Sequence, residues 1–218
     1  MLDYLIIGGG IAGISAAARL SEHGATLVLE AEAHLAYHTS GRSAALYEQN
    51  YGSPSTVALA KAARTDFDGM LSGVLSPRGF LLVCLQGEEA QFEYDLEHMH
   101  LSEVAVADAA KLVPILDSSS VIRTASSATA RDIDTDMMLQ IFARRIRTNG
   151  GTVETNQQVT AIDKMKQGWC VTTGSGQYEA QKIVNAAGAW GDEIAQLAGL
   201  PKIGLTPFRR SVARLSAP

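Results

Sequence analysis

The sequence predicts an α/β fold built on a parallel sheet, and its first thirty or so residues carry that prediction. Residues 4–7 and 26–30 are short apolar runs, typical of strands that are buried on both faces. Between them, small and apolar residues recur at helical spacing over residues 11–23, and Gly24 is expected to end that helix. Strand, glycine turn, helix and strand thus fit within about 30 residues, the size of one βαβ unit.

The rest of the chain predicts further helices and strands in mixed order. Ser53-Pro54 is expected to cap a helix that runs to residue 70, Asp108 a short helix that ends before Pro114, and Asp134 or Thr135 an amphipathic helix that ends at Gly150. The remaining apolar patterns predict helices over 88–99 and 190–198, and strands over 80–85, 152–154, 159–165, 169–173 and 178–184.

Composition excludes several classes of protein. The 218 residues are 46% hydrophobic and 19% charged, values of a globular chain of one to two domains. A net charge of −5 without a basic stripe argues against a nucleic-acid partner. Cys84 and Cys170 stand far apart, which argues against a disulfide scaffold and a structural metal site. Glycines interrupt apolar residues 5–20, and no stretch reaches about 18 apolar residues, so we expect no membrane span and a cytoplasmic location.

The glycine motif at residues 8–13 predicts a dinucleotide site. Gly8, Gly10 and Gly13 satisfy G-x-G-x-x-G after a predicted strand and at the start of a predicted helix, which is the context that the motif requires. Gly8 permits the tight turn, Gly10 lets backbone approach a pyrophosphate, and Gly13 allows close packing of helix and strand. The helix N-terminus offers N–H donors to the phosphates. Glu30, at the end of the second strand, is expected to accept hydrogen bonds from ribose hydroxyls.

The first glycine motif does not distinguish FAD from NAD, and a second motif favours FAD. Residues 185–190, Asn-Ala-Ala-Gly-Ala-Trp, follow an apolar run at 182–184. Small residues in such a turn are expected where backbone and cofactor touch. An NAD domain would continue with a third parallel strand and a helix within residues 41–70, where the sequence is polar at first and then helical.

Four segments resemble the D-amino acid oxidase/glycine oxidase family of flavoproteins: residues 4–30, 37–45, 132–136 and 184–190. Within that family the chain is most similar to bacterial D-amino-acid dehydrogenases of the D-arginine dehydrogenase type, and only to their N-terminal portion. The resemblance implies a Rossmann-like FAD-binding domain over 1–72 and 128–200. Residues 73–127 and 201–218 would then be part of an interleaved α+β substrate domain. It also implies a non-covalent FAD and a small amino-acid substrate, and it leaves the electron acceptor open.

The resemblance also implies roles for individual residues. Loop residues 39–46 would run along the pyrophosphate and flavin, and Val159 would contact the adenine through its backbone. The cofactor residues expected on this basis and from the glycine motifs are Gly8, Gly10, Ile11, Ala12, Gly13, Glu30, Ala31, Thr39, Ser40, Gly41, Arg42, Ser43, Ala44, Ala45, Val159, Ala187, Gly188 and Trp190. On the substrate side it implies Tyr51 and, of the pair Arg209-Arg210, Arg210.

Two departures from the family pattern bear on the substrate. Leu46 stands where the D-arginine dehydrogenases carry a histidine, and Phe80 lies on the strand where they place an acid that pairs with a basic substrate side chain. An aromatic ring cannot neutralise a guanidinium, so we expect a pocket that takes a neutral or apolar substrate.

Three functions remain open from the sequence. The leading one is an FAD-dependent enzyme that oxidises the CH–NH2 bond of a D-amino acid to an imino acid, with glycine or sarcosine oxidase-type amine oxidation as its close variant. The second is an NAD-dependent dehydrogenase. The third is a non-catalytic or truncated FAD-binding subunit, because in the family the C-terminal half supplies further substrate and flavin contacts.

Overall fold

The computed structural model of the chain describes residues 1–209 and 211. The strands are β1 (Leu2–Ile7), β2 (Thr26–Leu29), β3 (Leu46–Tyr47), β4 (Leu75–Pro77), β5 (Phe80–Leu85), β6 (Ser102–Val104), β7 (Val121–Ser127), β8 (Arg131–Ile133), β9 (Thr152–Glu154), β10 (Val159–Lys164), β11 (Trp169–Thr173) and β12 (Gly176–Asn185). The helices are α1 (Ile11–Leu20), α2 (Pro54–Ala62), α3 (Arg64–Asp68), α4 (Glu89–His98), α5 (Val106–Leu112), α6 (Thr135–Thr148) and α7 (Gly191–Leu197). Two short 3₁₀ turns cover Ser40–Arg42 and Gly188–Trp190.

A six-stranded sheet organises the first compact unit, which comprises residues 1–43 and the described residues from 139 onward. Its strand order is β10-β11-β12-β1-β2-β9. Strands β12, β1, β2 and β9 run parallel, whereas β10 and β11 form an antiparallel extension next to β12. The predicted parallel sheet is confirmed. Its third parallel strand beside β2 is β9, and no strand within residues 41–70 joins this sheet.

The core of this unit lies on the sheet because β1 and β2 carry apolar residues at successive positions. Leu5, Leu29 and Val171 belong to one cluster of buried residues, and Trp169 and Ile194 pack against it. The remaining residues of the cluster are Ile7, Leu27, Val159, Ile162 and Ala180. Helix α1 packs against β1 and β2 and buries its small and apolar residues, including Ile14 and Ala17. Strands β1 and β2 are thus apolar at successive positions because the cluster covers one face of the sheet and helix α1 covers the other.

Helix α1 ends earlier than the sequence suggests. The predicted helix over 11–23 stops at Leu20, and residues 21–24 form a turn. Gly24 does not end the helix directly. A Cβ at Gly24 would lie 2.5 Å from Oδ2 of Asp3, the oxygen that accepts the Ala25 N–H at 2.8 Å. The glycine is therefore needed for this close approach of β1 to the turn before β2.

Helix caps agree with the sequence at two of three positions. The Ser53 hydroxyl accepts the Thr56 N–H at 3.3 Å, and Asp134 Oδ1 accepts the Met137 N–H at 2.8 Å. Asp108 does not cap α5: the residue before that helix is Ala105, and Asp108 lies in the first turn and pairs with Lys111. The helix expected over 53–70 is divided into α2 and α3.

The second compact unit comprises residues 44–138 and contains two small sheets. Strands pair in the order β3-β8-β4 in one and β5-β7-β6 in the other, all antiparallel. Its core is a cluster of Cys84, Phe92, Met99, Leu101 and Ala125. Arg123 lies over the Phe92 ring at 4.7 Å and pairs with Glu93 and Glu103, so hydrogen bonds to these carboxylates raise its pKa.

The two units have different limits from the domains expected from sequence. Residues 44–72 and 128–138, expected in a domain with 1–43, group instead with the second unit. The reason is strand pairing: β8 lies between β3 and β4 and joins all three into one sheet. The second limit falls within α6, between residues 138 and 139.

Neither a membrane span nor a metal cluster occurs in the part of the chain that the structure describes. None of the described helices is long and apolar enough to cross a membrane. Residues 1–209 and 211 contain no group of three or more His, Cys, Asp or Glu side chains that could hold a metal ion.

Asp192 anchors the segment after α7, and this generates a prediction on stability. Its carboxylate accepts the N–H groups of Ile203, Gly204 and Leu205 at 2.9, 3.1 and 2.9 Å. Burial acts to raise the pKa of Asp192, but these three donors and the Lys202 charge outweigh burial and hold the pKa below its usual value of 3.8. Because the pKa of Asp192 is lower in the folded chain than in the unfolded one, the ionised carboxylate stabilises the fold. This stabilisation is lost as the pH falls through the folded pKa.

We expect Asp192→Asn to lower the urea midpoint of unfolding at pH 7, because an amide can place its NH2 against an N–H donor. The difference from the unchanged chain should shrink as the pH falls below 3.8 through the folded pKa, where the native carboxylate is protonated too. The neighbouring Glu193→Gln serves as the control. A midpoint difference that is the same at pH 7 and in strong acid would contradict this explanation.

Candidate dinucleotide site

The first glycine turn is shaped by backbone that passes too close for side chains. Gly8 has a φ of +114°, and a Cβ there would lie 2.4 Å from the Ala186 carbonyl oxygen. A Cβ at Gly13 would lie 1.9 Å from the Gly8 carbonyl oxygen. The predicted reasons for Gly8 and Gly13, a tight turn and close helix packing, are therefore both present.

The N-terminus of α1 presents backbone donors at this turn. Gly10 is its cap residue in extended conformation and supplies no side chain. The Ile11 N–H donates to the Ser40 hydroxyl at 3.0 Å, and a Cβ at Gly10 would lie 3.2 Å from the same oxygen. Among the described residues, no acceptor binds the N–H groups of Ala12 and Gly13. Two free donors at the positive end of a helix suit an anionic phosphate.

Glu30 is buried and aimed at the same turn. Its exposed fraction is 8%, and its carboxylate accepts the Gly9 N–H at 2.6 Å on Oε2 and the Glu32 N–H at 2.8 Å on Oε1. Each carboxylate oxygen has a second lone pair. The carboxylate is thus held by backbone donors and keeps acceptor capacity for a ligand hydroxyl. The contact with Gly9 was not predicted from the sequence.

The loop over residues 36–42 is held against this turn. The Ala36 N–H donates to the Gly9 carbonyl at 3.1 Å, and the Gly41 N–H donates to the Ala36 carbonyl at 2.8 Å. A Cβ at Gly41 would lie 2.4 Å from that carbonyl oxygen, so glycine is required there. Arg42 donates from Nε to the Tyr37 carbonyl at 3.0 Å and lies 5.1 Å from the centre of the Tyr37 ring.

One cavity of about 410 Å³ brings most of the predicted cofactor residues together. Those that line it are Gly8, Gly10, Glu30, Ala31, Thr39, Ser40, Val159, Ala187, Gly188 and Trp190. All belong to the first unit. Residues far apart in the sequence meet because β1, β2 and β12 are neighbours and their C-terminal ends share one edge of the sheet.

The cavity also contains residues that were not predicted individually, although Tyr37, His38, Ala186 and Ala189 lie in segments that the sequence analysis singled out. These are Glu32, Ala36, Tyr37, His38, Gln157, Gln158, Ala186, Ala189, Glu193, Ile194 and Leu197, with Ile7 and Leu29 from the strands. Gln157 and Gln158 directly precede Val159, and His38 lies in the loop whose later residues were predicted, so position in the chain was an available signal. No pattern distinguishes Glu193 from other acids of an exposed helix.

Some predicted cofactor residues lie beside the cavity without lining it. Ile11, Ala12 and Gly13 form the first turn of α1, and only their backbone faces were expected to act. Arg42 was expected to contact phosphate, but Tyr37 engages its guanidinium and it is absent from the cavity walls. Gly41 shapes the loop, and Ser43 is an exposed extended residue that follows it.

The predicted residues 44–80 belong to the second unit. Leu46 pairs with Asp132 in β3, and the Ala45 carbonyl accepts the Ile133 N–H at 3.2 Å. Tyr51 is 59% exposed, whereas the Phe80 ring packs against the core cluster of the second unit. Ala44 is exposed. Arg210 lies outside the described residues.

A buried acid, Glu48, was also missed in the second unit. Its oxygens accept the Asn50 N–H at 3.3 Å and the Ser127 hydroxyl at 2.9 Å, and its carbonyl accepts the Tyr51 N–H. Glu48 therefore fixes the turn that carries Tyr51. The neighbouring Tyr47 donates its hydroxyl to the Ala60 carbonyl, and burial raises its pKa.

Comparison with known proteins gives a family. A family model described as "FAD dependent oxidoreductase", DAO, matches residues 3–218. The chain is 25% identical over 211 residues to the mitochondrial dimethylglycine dehydrogenase of Mus musculus, which covers 91% of this chain and 24% of that protein. It is 28% identical over 240 residues to the L-2-hydroxyglutarate dehydrogenase of Escherichia coli strain K12, with 99% of this chain and 54% of that protein covered.

A solved structure of similar fold is glycine oxidase from Geobacillus kaustophilus. The TM-score is 0.78 at 18% identity, over 91% of this chain and 58% of that one. This likeness shows the fold, and the predicted α/β class with a dinucleotide-type sheet is confirmed. The chain spans between about a quarter and somewhat over half of the length of these relatives.

The geometry of Glu30 predicts a measurable loss of FAD binding. We expect Glu30→Ala to weaken FAD binding by about 1.5–3 kcal/mol, the range for a charged hydrogen bond, because the ribose contact expected from the sequence and the support of Gly9 would both be lost. Titration of the apoprotein with FAD measures it. Glu179→Ala, an exposed acid on β12, is the control, and an unchanged dissociation constant in Glu30→Ala would remove the assignment.

Proposed function

Because the chain belongs to the FAD-dependent oxidoreductase family, we propose that it binds FAD non-covalently in the cavity of the first unit and serves the oxidation of the CH–NH2 bond of an amino acid. The observation that carries this proposal is the shared cavity, whose walls include both glycine turns and Glu30. The first unit is then the FAD-binding part, and the second unit is part of the substrate domain.

The residues in the cavity walls and those beside them fit the groups of FAD. The free N–H donors of Ala12 and Gly13 suit the pyrophosphate, and the missing side chain of Gly10 leaves room for it beside Ser40. Glu30 suits the ribose hydroxyls, and the backbone of Val159 suits the adenine. These assignments use backbone and small residues where a large cofactor needs space.

The second glycine turn suits the flavin ring. The Ala187 N–H is held by Asn185 Oδ1 at 3.3 Å, and Asn185 Nδ2 donates to the Gly191 carbonyl at 2.7 Å. Asn185 thus fixes the turn that contains Gly188. Bound FAD supplies the hydride acceptor for the oxidation, while the protein supplies binding and orientation. The imino acid product reacts with water to give the keto acid and ammonia.

The substrate class is proposed from three sources. The resemblance to D-amino-acid dehydrogenases favours a D-amino acid, and the similarity to proteins named for dimethylglycine and glycine favours an amine. Leu46 and Phe80 favour a neutral or apolar side chain over a cationic one. The electron acceptor is left open, and the cytoplasmic location stays a prediction from the sequence.

Two other functions are kept as candidates. The similarity to L-2-hydroxyglutarate dehydrogenase covers 54% of that protein, which favours oxidation of a CH–OH bond as the second candidate. The third is FAD binding without turnover, because the chain spans only part of its relatives. The NAD-dependent alternative is not retained, since the family is one of FAD-dependent enzymes.

FAD binding is tested first on the 218-residue chain itself. We expect the purified chain to show flavin absorption and to release FAD into the supernatant on acid precipitation, as a non-covalent cofactor does. Gly10→Val should give a folded chain without flavin, since the new side chain would press on Ser40 and fill the phosphate space. Flavin that stays with the precipitate, or stoichiometric FAD in Gly10→Val, would contradict the proposal.

Substrate preference is tested with an artificial electron acceptor. We expect kcat/KM for D-leucine, D-methionine or D-phenylalanine to exceed that for D-arginine and D-lysine by at least about tenfold, because an unpaired buried charge costs several kcal/mol. Phe80→Glu should narrow the gap, with Leu82→Glu on the same strand as the control. A preference for D-arginine would contradict the role given to Phe80, and turnover of L-2-hydroxyglutarate alone would favour the second candidate.

A further inference from the structure

The charge of the cavity is at odds with its proposed ligand. Three carboxylates line it, those of Glu30, Glu32 and Glu193, and among the described lining residues there is no Lys or Arg. The FAD pyrophosphate carries two negative charges, and like charges brought together without water cost several kcal/mol. Apart from the helix N-terminus, a feature that weakens the negative charge of these carboxylates would therefore favour binding.

The surroundings of two of the three acids reduce the effect of their negative charge. Backbone N–H groups of Gly9 and Glu32 hold the Glu30 carboxylate. Glu193 lies in the first turn of α7 and is exposed to solvent, which screens it. Glu32 remains, and it lies on the segment that directly follows Glu30.

His38 is bonded to that carboxylate. Its Nε2 lies 2.8 Å from Oε1 of Glu32, and both side chains are about two-fifths exposed, at 39% and 38%. Among the described residues that line the cavity, His38 is the single side chain able to carry a positive charge. The contact holds the Glu32 carboxylate toward the imidazole ring.

The ring of His38 is held in place from two sides. Its centre lies 4.6 Å from that of Trp190 and 5.0 Å from that of Tyr37, in tilted and edge-on arrangements. Arg42 lies over the other ring, Tyr37, at 5.1 Å. The loop of residue 38 is thereby packed against the second glycine turn, and the imidazole is fixed where it meets Glu32.

We propose that His38 is a positioning residue for FAD: it holds the Glu32 carboxylate by a hydrogen bond and so limits the repulsion between that carboxylate and the anionic cofactor. The inference rests on the proposed binding of FAD in this cavity, and it adds a role that neither glycine motif contains. An electrostatic role differs from a packing role in one respect. In a variant without His38, the loss of FAD binding should be caused by the Glu32 carboxylate.

The test is a rescue experiment on the full chain. His38→Phe keeps an aromatic ring beside Trp190 and removes the partner of Glu32, and it should weaken FAD binding about tenfold. In the double variant His38→Phe with Glu32→Gln, the harmful charge is absent, and binding should return to within about threefold of the unchanged chain. His34→Phe, an exposed histidine of the same segment that does not line the cavity, is the matched control.

Two further readouts identify the cause. The loss in His38→Phe should shrink as salt is raised, and it should appear equally with ADP, which carries the pyrophosphate without a flavin. The emission of Trp190, isolated in a Trp169→Phe background, should show that the phenyl ring introduced by His38→Phe keeps the contact with the indole.

The outcomes separate this inference from the proposed function. If the unchanged chain binds neither FAD nor ADP, the proposed function fails and this role fails with it. If the chain binds FAD but His38→Phe binds equally well, or the double variant binds as weakly as His38→Phe, the shielding role alone is overturned. Rescue by Glu32→Gln together with the salt dependence would support it.

Discussion

The site depends on one steric constraint: backbone at the C-terminal ends of β1 and β12 approaches so closely that glycine is required. The Gly8 carbonyl occupies the place where a Cβ of Gly13 would stand, and the Ala186 carbonyl occupies that of a Cβ of Gly8. These two contacts bring the start of α1 and the turn after β12 to one point. This arrangement brings the free N–H donors of the helix start next to the cavity that the small-residue turn lines.

Hydrogen bonds to the glycine turn then place the polar groups around it. Glu30 reaches Gly9, and the loop of residues 36–42 reaches Gly9 and Ile11 through Ala36 and Ser40. Each of these contacts uses a backbone group of the turn, so the turn orients the polar residues that surround it. A buried carboxylate is tolerated because two N–H groups compensate for its lost hydration. Preorganised polar groups of this kind lower the cost of ordering a site when a cofactor binds.

Local patterns predicted the parts of the fold in which neighbours along the chain decide the structure. The first βαβ unit, the Ser53 and Asp134 caps and the strands after residue 150 follow from spacing and apolar runs. The division at residues 43 and 138 could not be predicted in this way, because it depends on β8 pairing with both β3 and β4. Likewise Gly24 reads as a helix stop in sequence, whereas a contact with Asp3 explains it in space.

The same distinction applies to the cavity. Motif residues such as Gly10 and Glu30 could be predicted because the glycine turn and the end of the second strand belong to one βαβ unit of about 30 residues. The charge balance to which Glu32 and His38 contribute could not, since it is a sum over the three acids that line the cavity proposed for an anionic cofactor. Such a sum exists only once the segments from β2, the loop and β12 are brought together. A glycine turn therefore indicates where a dinucleotide binds, while the charged residues around the turn affect how tightly it binds.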